Sequence, residues 1–183
     1  MPAEPPTSSN SSALKGGGEP IDAPQQPHRL SITDPASLIA RWFGIGLLPR
    51  APGTWGSLSA LPFAWAIAHF IAPVAVVIAA VALFFLGWWA AERVAAASDV
   101  ADDSTIVVDE VVGQWLAICA APLDPVAYVM GFALFRAFDI WKPWPVSWAE
   151  SLPGGLGVMA DDVLAGLYAL IVLVPLLRLL GAL

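Results

Sequence analysis

The chain has 183 residues, 58% of them hydrophobic and 13% charged, with a mean hydropathy of +0.72. A soluble domain is nearer ~45–50% apolar and about 25% charged, so one small core would not hide this much apolar surface, and an integral membrane protein is expected. The net charge of −7, from 8 basic and 15 acidic residues, argues against a nucleic-acid partner, which favours a basic surface. The single cysteine, Cys119, leaves no basis for a disulfide framework or a cysteine metal cluster.

Residues 1–30 are rich in Pro, Ser, Gly and Gln and show no apolar period, so they read as a disordered tail. They lack the apolar h-region of a signal peptide, and their acidic residues run against a transit peptide. His28 falls in this tail and reads as solvated. Residues 31–183 read as one membrane-embedded domain.

Thr33-Asp34-Pro35 predicts a helix start, with Asp34 as N-cap and Pro35 at the first helical position. Leu38, Ile39, Trp42 and Phe43 then share a face, with Arg41 off it. That suits a short helix lying in the membrane interface, and equally one packed on a bundle. The stretch from Gly44 to Leu58, GIGLLPRAPGTWGSL, reads as a Gly- and Pro-punctuated loop carrying Arg50, Thr54 and Ser57. It is not a P-loop, since no Gly-Lys-Ser/Thr follows. Its glycines either let backbone N–H groups approach a phosphate or simply turn the chain.

Apolar blocks follow at Leu58–Ala72, Val74–Ala91, Ile106–Ala121, Val126–Ile140 and Val163–Leu180. No period-two pattern appears, so all are read as helices, although several fall short of the ~20 residues of a full span. The expected fold is all-α: a polytopic membrane bundle of about four to five apolar helices, preceded by an interfacial N-terminal helix.

If every block spans, the chain through Ser57, the segment Glu92–Thr105 and the segment Trp141–Asp162 share one face of the membrane. Lys15, Arg29, Arg41, Arg50, Arg93, Arg136 and Lys142 lie on or beside it and only Arg178 near the other, which makes this face cytoplasmic. Trp42, Trp55, Trp88, Trp89, Trp141, Trp144 and Trp148 collect there too, as an interfacial belt would. So do Asp99, Asp102, Asp103, Asp109, Glu110, Asp139, Asp161 and Asp162. Carboxylates distant in sequence are thereby expected at one depth.

The segment FDIWKPWPVSWAESLPGGLGVMADDV, from Phe138 to Val163, reads as one wall of an active site at the membrane surface. Asp109-Glu110 is placed about one turn inside an apolar helix, Asp139 at the end of another, and Asp161-Asp162 at the N-terminus of a third. Ionisable groups in such segments usually face a bundle interior or cavity. Several carboxylates held together repel unless a cation neutralises them, and a hard divalent ion with oxygen ligands, Mg²⁺ foremost, does so. For Asp161-Asp162 the plain alternative is helix capping and a favourable dipole position. Lys142 and Arg136 either neutralise phosphate charge or pair with Asp139. Gly154, Gly155 and Gly157 form a flexible clamp or a plain turn.

Other phosphatase chemistries lack their parts. Cys119 has Pro125 rather than Arg six residues on, no Asp is followed by another Asp two places later, and only His28 and His69 are present. Metal-assisted chemistry remains, with carboxylates as ligands and general base.

Taken together and in this order, PRAPGTWGSL, IVVDEVVGQW, FRAFDIWKPWP and GGLGVMADDVLAG resemble the phosphatidylglycerophosphatase A family, over roughly Gly44 to Tyr168. The resemblance implies a Mg²⁺-dependent, multi-pass enzyme of the bacterial inner membrane. It would hydrolyse phosphatidylglycerophosphate to phosphatidylglycerol and phosphate at an active site on the cytoplasmic face. It carries over Thr54, Ser57, Asp109, Glu110, Asp139, Lys142, Asp161 and Asp162 as site positions without assigning individual roles. On this basis Asp109, Glu110, Asp139 and Asp162 are expected to hold Mg²⁺, and Arg50, Arg136 and Lys142 to bind phosphate. Asp109, Asp161, Lys142, Thr54 and Ser57 are expected to serve the catalytic step. The alternatives are a phosphatase of another lipid phosphate, a non-enzymatic ion or proton relay built on the same acids, and a structural subunit.

Overall fold

A computed structural model describes residues 30–98 and 103–183 of the chain. The expected disordered tail thus lies almost wholly outside the described residues, as do His28, Asp99 and Asp102. Every regular element among the described residues is helical: α1 (Pro35–Ala40), α2 (Pro52–Phe70), α3 (Pro73–Ala97), α4 (Val108–Ile118), α5 (Pro125–Trp141), α6 (Val146–Glu150) and α7 (Gly154–Leu179), with a 3₁₀ turn at Ile45–Leu47. Proline opens α1, α2, α3 and α5, where its missing N–H costs nothing and its fixed φ is already helical. Asp34 and Asp124 cap two of these starts, each accepting a backbone N–H, from Ala36 at 2.9 Å and Ala127 at 3.0 Å.

α1 is shorter than the sequence pattern implied. Its small face (Ala36, Ser37 and Ala40) is buried, and the two alanines pack with Ala90, Ala91 and Val94 of α3, so it is a helix docked on the bundle. The chain then passes through left-handed backbone at Trp42 and Phe43 (φ 43° and 56°), which splits the expected apolar face. Trp42 turns inward, edge-on to Phe63 and Trp115, while Phe43 remains exposed. Trp42 is therefore a core residue and not part of an interfacial belt. Trp55, Trp88, Trp89, Trp141, Trp144 and Trp148 are all exposed.

Among the described residues two helices are long and apolar enough to cross a membrane, α3 and α7, fewer than the four to five expected. At ~1.5 Å per residue they reach about 38 Å, beyond the ~30 Å hydrocarbon thickness. Only 28% and 33% of their apolar windows are buried, so both turn most of their apolar surface outward, unlike the core helix of a soluble protein. The Ile106–Ala121 block fails as a span for a physical reason. Its helix, α4, has 11 residues and reaches only about 16 Å. It is apolar because protein surrounds it: Val108, Val111, Val112, Trp115 and Ile118 are all buried, and α2, α3, α5 and α7 pack on it. Hydropathy alone does not separate a lipid-facing run from a protein-facing one.

α4 and α7 cross with their backbones in close approach, and glycines make it possible. A methyl group on Gly113 would collide with the backbone oxygen of Asp162 and the Phe135 ring, and one on Gly166 with the backbone of Gly113. This contact sets the acidic start of α4 beside the acidic pair of α7. Helix propensity alone would favour Gly166→Ala by about 1 kcal/mol. Overpacking against an immovable backbone costs about 1–3 kcal/mol and is expected to win. Gly166→Ala should therefore lower the thermal midpoint in detergent, and an unchanged or higher midpoint would show that the helices have room to separate.

Candidate active site

One end of the bundle collects the starts of α2 and α4 and the ends of α3 and α5. A cleft of about 570 Å³ opens there, lined by Thr54, Asp109, Glu110, Arg136, Asp139, Lys142, Asp161 and Asp162. The convergence expected from counting sides is thus present as geometry, drawn from four helices and the residue that follows α5.

α7 and α2 begin earlier than the sequence suggested and α4 slightly later, and these shifts change the local readings. α7 starts at Gly154 with Pro153 as its N-cap, so Asp161 and Asp162 lie more than a turn inside it and have no capping role. α4 starts at Val108, which puts Asp109 and Glu110 in its first turn, where the helix dipole favours negative charge. Likewise α2 opens at Pro52, so Thr54 and Ser57 belong to a helix, not to a loop.

Glu110, Asp139 and Asp162 each offer a carboxylate oxygen within 4.8 Å of the others. Arg136 Nη1 bridges two of them, contacting Glu110 Oε2 and lying 2.8 Å from Asp139 Oδ2 one turn along α5. With all three ionised, the carboxylates against this one guanidinium carry two uncompensated negative charges, the complement of a divalent cation. The donors are all oxygens, as a hard cation requires. Asp109 lines the same cleft outside this trio, with Oδ1 accepting the backbone N–H of Glu110 at 2.9 Å.

The phosphate-binding candidates separate. Lys142 caps α5 in left-handed backbone (φ 47°) and turns its ammonium to the cleft, with Nζ 2.6 Å from Glu150 Oε1 and 3.0 Å from Asp161 Oδ2. Burial pulls its pKa down, but hydrogen bonds to Glu150 and Asp161 outweigh it and hold the pKa above the usual lysine value. The side chain therefore stays cationic through neutral pH. Arg136 lines the cleft but is engaged by carboxylates. Arg50 is exposed, lies outside the cleft, and borders a separate groove with Leu48, Pro49 and Trp55.

Ser57 is fully buried behind Glu110, and its Oγ is 2.9 Å from both Glu110 Oε2 and the Gly53 carbonyl. Arg136 Nη1 approaches the same hydroxyl at 3.4 Å. It holds Glu110 in place and is shielded from the cleft, whereas Thr54 lines it. Gly53 completes this wall, because any side chain there would overlap the Glu110 carboxylate.

Two contacts were not assigned from the sequence, one at Glu150 inside the segment read as a wall of the site and one at Glu92 just outside the cleft lining. Glu150 is held to Lys142 across the short helix α6, and Glu92 of α3 accepts the Gly155 N–H at 2.7 Å. The first contact depends on how α6 folds back, and the second is purely tertiary. His69 stacks on Trp65 near the C-terminal end of α2, with ring centroids 4.7 Å apart, outside the cleft lining.

Fold and cleft together define a class: an all-helical protein with two apolar helices suggesting membrane association, and an oxygen-donor acidic site at one end. Residues 38–177 match the family model for phosphatidylglycerophosphatase A. The chain is 38% identical to phosphatidylglycerophosphatase A of Escherichia coli over 140 residues, 75% of this chain and 81% of that one. It is also 38% identical to phosphatidylglycerophosphatase A of Haemophilus influenzae over 146 residues, 79% of this chain and 90% of the relative. A Bacteroides thetaiotaomicron protein named "putative phosphatidylinositol-3-phosphatase" is 43% identical over 144 residues, 74% of this chain and 89% of its own. No solved structure matches. The chain belongs to the phosphatidylglycerophosphatase A family, a family of phosphatases.

Proposed function

We propose that the protein hydrolyses phosphatidylglycerophosphate to phosphatidylglycerol and inorganic phosphate in a bacterial inner membrane, with Mg²⁺ as cofactor and the cleft on the cytoplasmic face. The observation that carries the reading is the Glu110–Asp139–Asp162 trio opening into the same cleft as Lys142. A phosphomonoester needs cationic partners for its oxygens and a base for the attacking water. The polytopic, membrane-embedded domain from residue 31 onward belongs to the same reading.

Glu110, Asp139 and Asp162 would hold the cation, which when bound offsets charge on the phosphoryl oxygens and acidifies a water. Lys142 binds a phosphate oxygen, exchanging part of its contact with Glu150 and Asp161 for the substrate. Asp109, which has no ion-pair partner among the described residues, takes the proton from the attacking water. As the new P–O bond forms, the bond from phosphorus to the glycerol oxygen breaks. The proton that Asp109 takes from the water balances the one this oxygen gains, while the Asp161 carboxylate holds the Lys142 ammonium toward the phosphate. Arg136 and Ser57 act through Glu110 and Asp139. The glycerol-bearing lipid stays in the bilayer, consistent with the exposed tryptophans around this end of the fold.

The relay alternative wants acids strung through the mid-bilayer, whereas here they gather in one cleft with a lysine. A second substrate is favoured by a specific finding, the name of the Bacteroides thetaiotaomicron relative. A phosphate on an inositol ring presents the same dianion at a different height above the bilayer. The deciding experiment is phosphate release by detergent-purified protein, with Mg²⁺ and with a chelator, from phosphatidylglycerophosphate and from phosphatidylinositol 3-phosphate. Metal-dependent release from the first, lost in Asp109→Ala while Mg²⁺ still binds, is the expected result. Release only from the second would move the substrate to the inositol lipid. No release from either by folded protein would sink the phosphatase reading.

A further inference from the structure

Beside the cleft lies a second depression, about 600 Å³, walled by Phe85, Trp88 and Trp89 of α3 and by Pro153 and Leu156 at the start of α7. Phe85, Trp88, Trp89 and Glu92 follow the spacing of a single helix face, and the three aromatics are 60%, 37% and 46% exposed. None belongs to the phosphate chemistry described above. We propose that this groove holds one acyl chain of the lipid whose phosphate enters the cleft, an inference that rests on the lipid-phosphatase reading.

The groove adjoins the cleft at Gly154, which lines both. The residue they share is a glycine for a reason visible in the packing. A side chain on Gly154 would run into the Glu92 carboxylate, and one on Gly155 into the α3 backbone at Trp88 and Glu92. Glu92 Oε2 accepts the Gly155 N–H at 2.7 Å and so pins the first turn of α7 against α3. The glycine cluster thereby acquires a role neither clamp nor turn would give it: bare backbone between a polar cleft and an apolar groove.

Polarity also runs the right way. Charged groups, Glu92 and Arg93, lie at the cleft end of the groove, with Arg93 stacked 5.6 Å from the Trp89 ring centre. Phe85 lies two turns back along α3, about 10 Å farther into the apolar part of the helix. A phospholipid with its phosphate in the cleft must direct its chains along this axis. The groove presents its aromatic wall there on a helix long enough to span the bilayer.

The test uses full-length protein in phosphatidylcholine vesicles and phosphatidylglycerophosphate carrying a diazirine midway along an acyl chain. On irradiation, label should fall on peptides containing Phe85–Trp89 and Leu156. Excess unlabelled phosphatidylglycerophosphate should suppress it, and additional phosphatidylcholine should not. Label absent from these peptides, or diluted equally by both lipids, would mean ordinary boundary lipid and overturn the proposal. Leu156→Trp narrows the groove. It should lower labelling, and lower kcat/KM for the long-chain substrate about tenfold more than for a dihexanoyl analogue. An equal fall for both substrates would also count against the groove. Competed labelling without phosphate release would retain the groove and remove the reaction, and release without competed labelling would do the reverse.

Discussion

Asp162→Asn is expected to lower kcat/KM by about 10³-fold, the scale of losing one preorganised charge-stabilising group. Asp162 is only 3% exposed and presents its carboxylate to Glu110 and Asp139. Asparagine keeps the shape and removes the charge, so the loss is one of chemistry, not of packing. Mg²⁺ affinity, measured by titration calorimetry, should weaken in parallel. Without divalent cation the thermal midpoint should hold or rise, because removing one of three clustered negative charges relieves repulsion. A variant that keeps activity within a few-fold would show that the trio is not where the phosphoryl group is handled.

Arg136→Met should be the most destabilising of the site substitutions. Its guanidinium is the contact that Glu110 and Asp139 share, and all three side chains are 13–16% exposed. Removing one partner from a largely buried ionic cluster leaves uncompensated charge and costs on the order of 3 kcal/mol. The size of this effect should depend on metal. With the guanidinium gone, the carboxylates bind a divalent cation more tightly, and a ligand that binds only the folded state stabilises it, by about 2.7 kcal/mol at a hundredfold excess over Kd. The midpoint gained on adding Mg²⁺ should therefore be larger in the variant than in the parent protein. A gain no larger would mean that Arg136 and the cation do not act on the same carboxylates.

Much of the site was legible because charge is scarce in this chain. Where nearly every neighbour is apolar, a carboxylate at Asp109, Asp139 or Asp162 has a reason to be there, and alternating helix direction brings the three to one end. The N-terminal signals were local as well: Asp34 and Pro35 open a helix through one hydrogen bond and one fixed dihedral angle. Helix boundaries near glycine were less legible. Gly154, Gly155 and Gly157 read as a flexible clamp or a plain turn, yet they begin α7, where the Glu92 carboxylate accepts the Gly155 N–H and the α3 backbone packs closely on Gly155. That earlier start moved Asp161 and Asp162 from a cap to the floor of the cleft.

By itself the sequence determined that the fold is helical, that apolar surface exceeds what a core can hide, and which acids gather at one end. These follow from periodicity, composition and motif order, which need no distances. Which apolar runs face lipid and which face protein was decided only by tertiary packing, because the apolar side chains of α4 are enclosed by protein whereas α3 leaves most of its apolar window exposed. The partners of the charged groups were decided there too. Arg136 was drawn to Glu110 and Asp139, Lys142 to Glu150 and Asp161, and Arg50 was left outside. An ion pair depends on the inverse of a distance that only the folded chain sets.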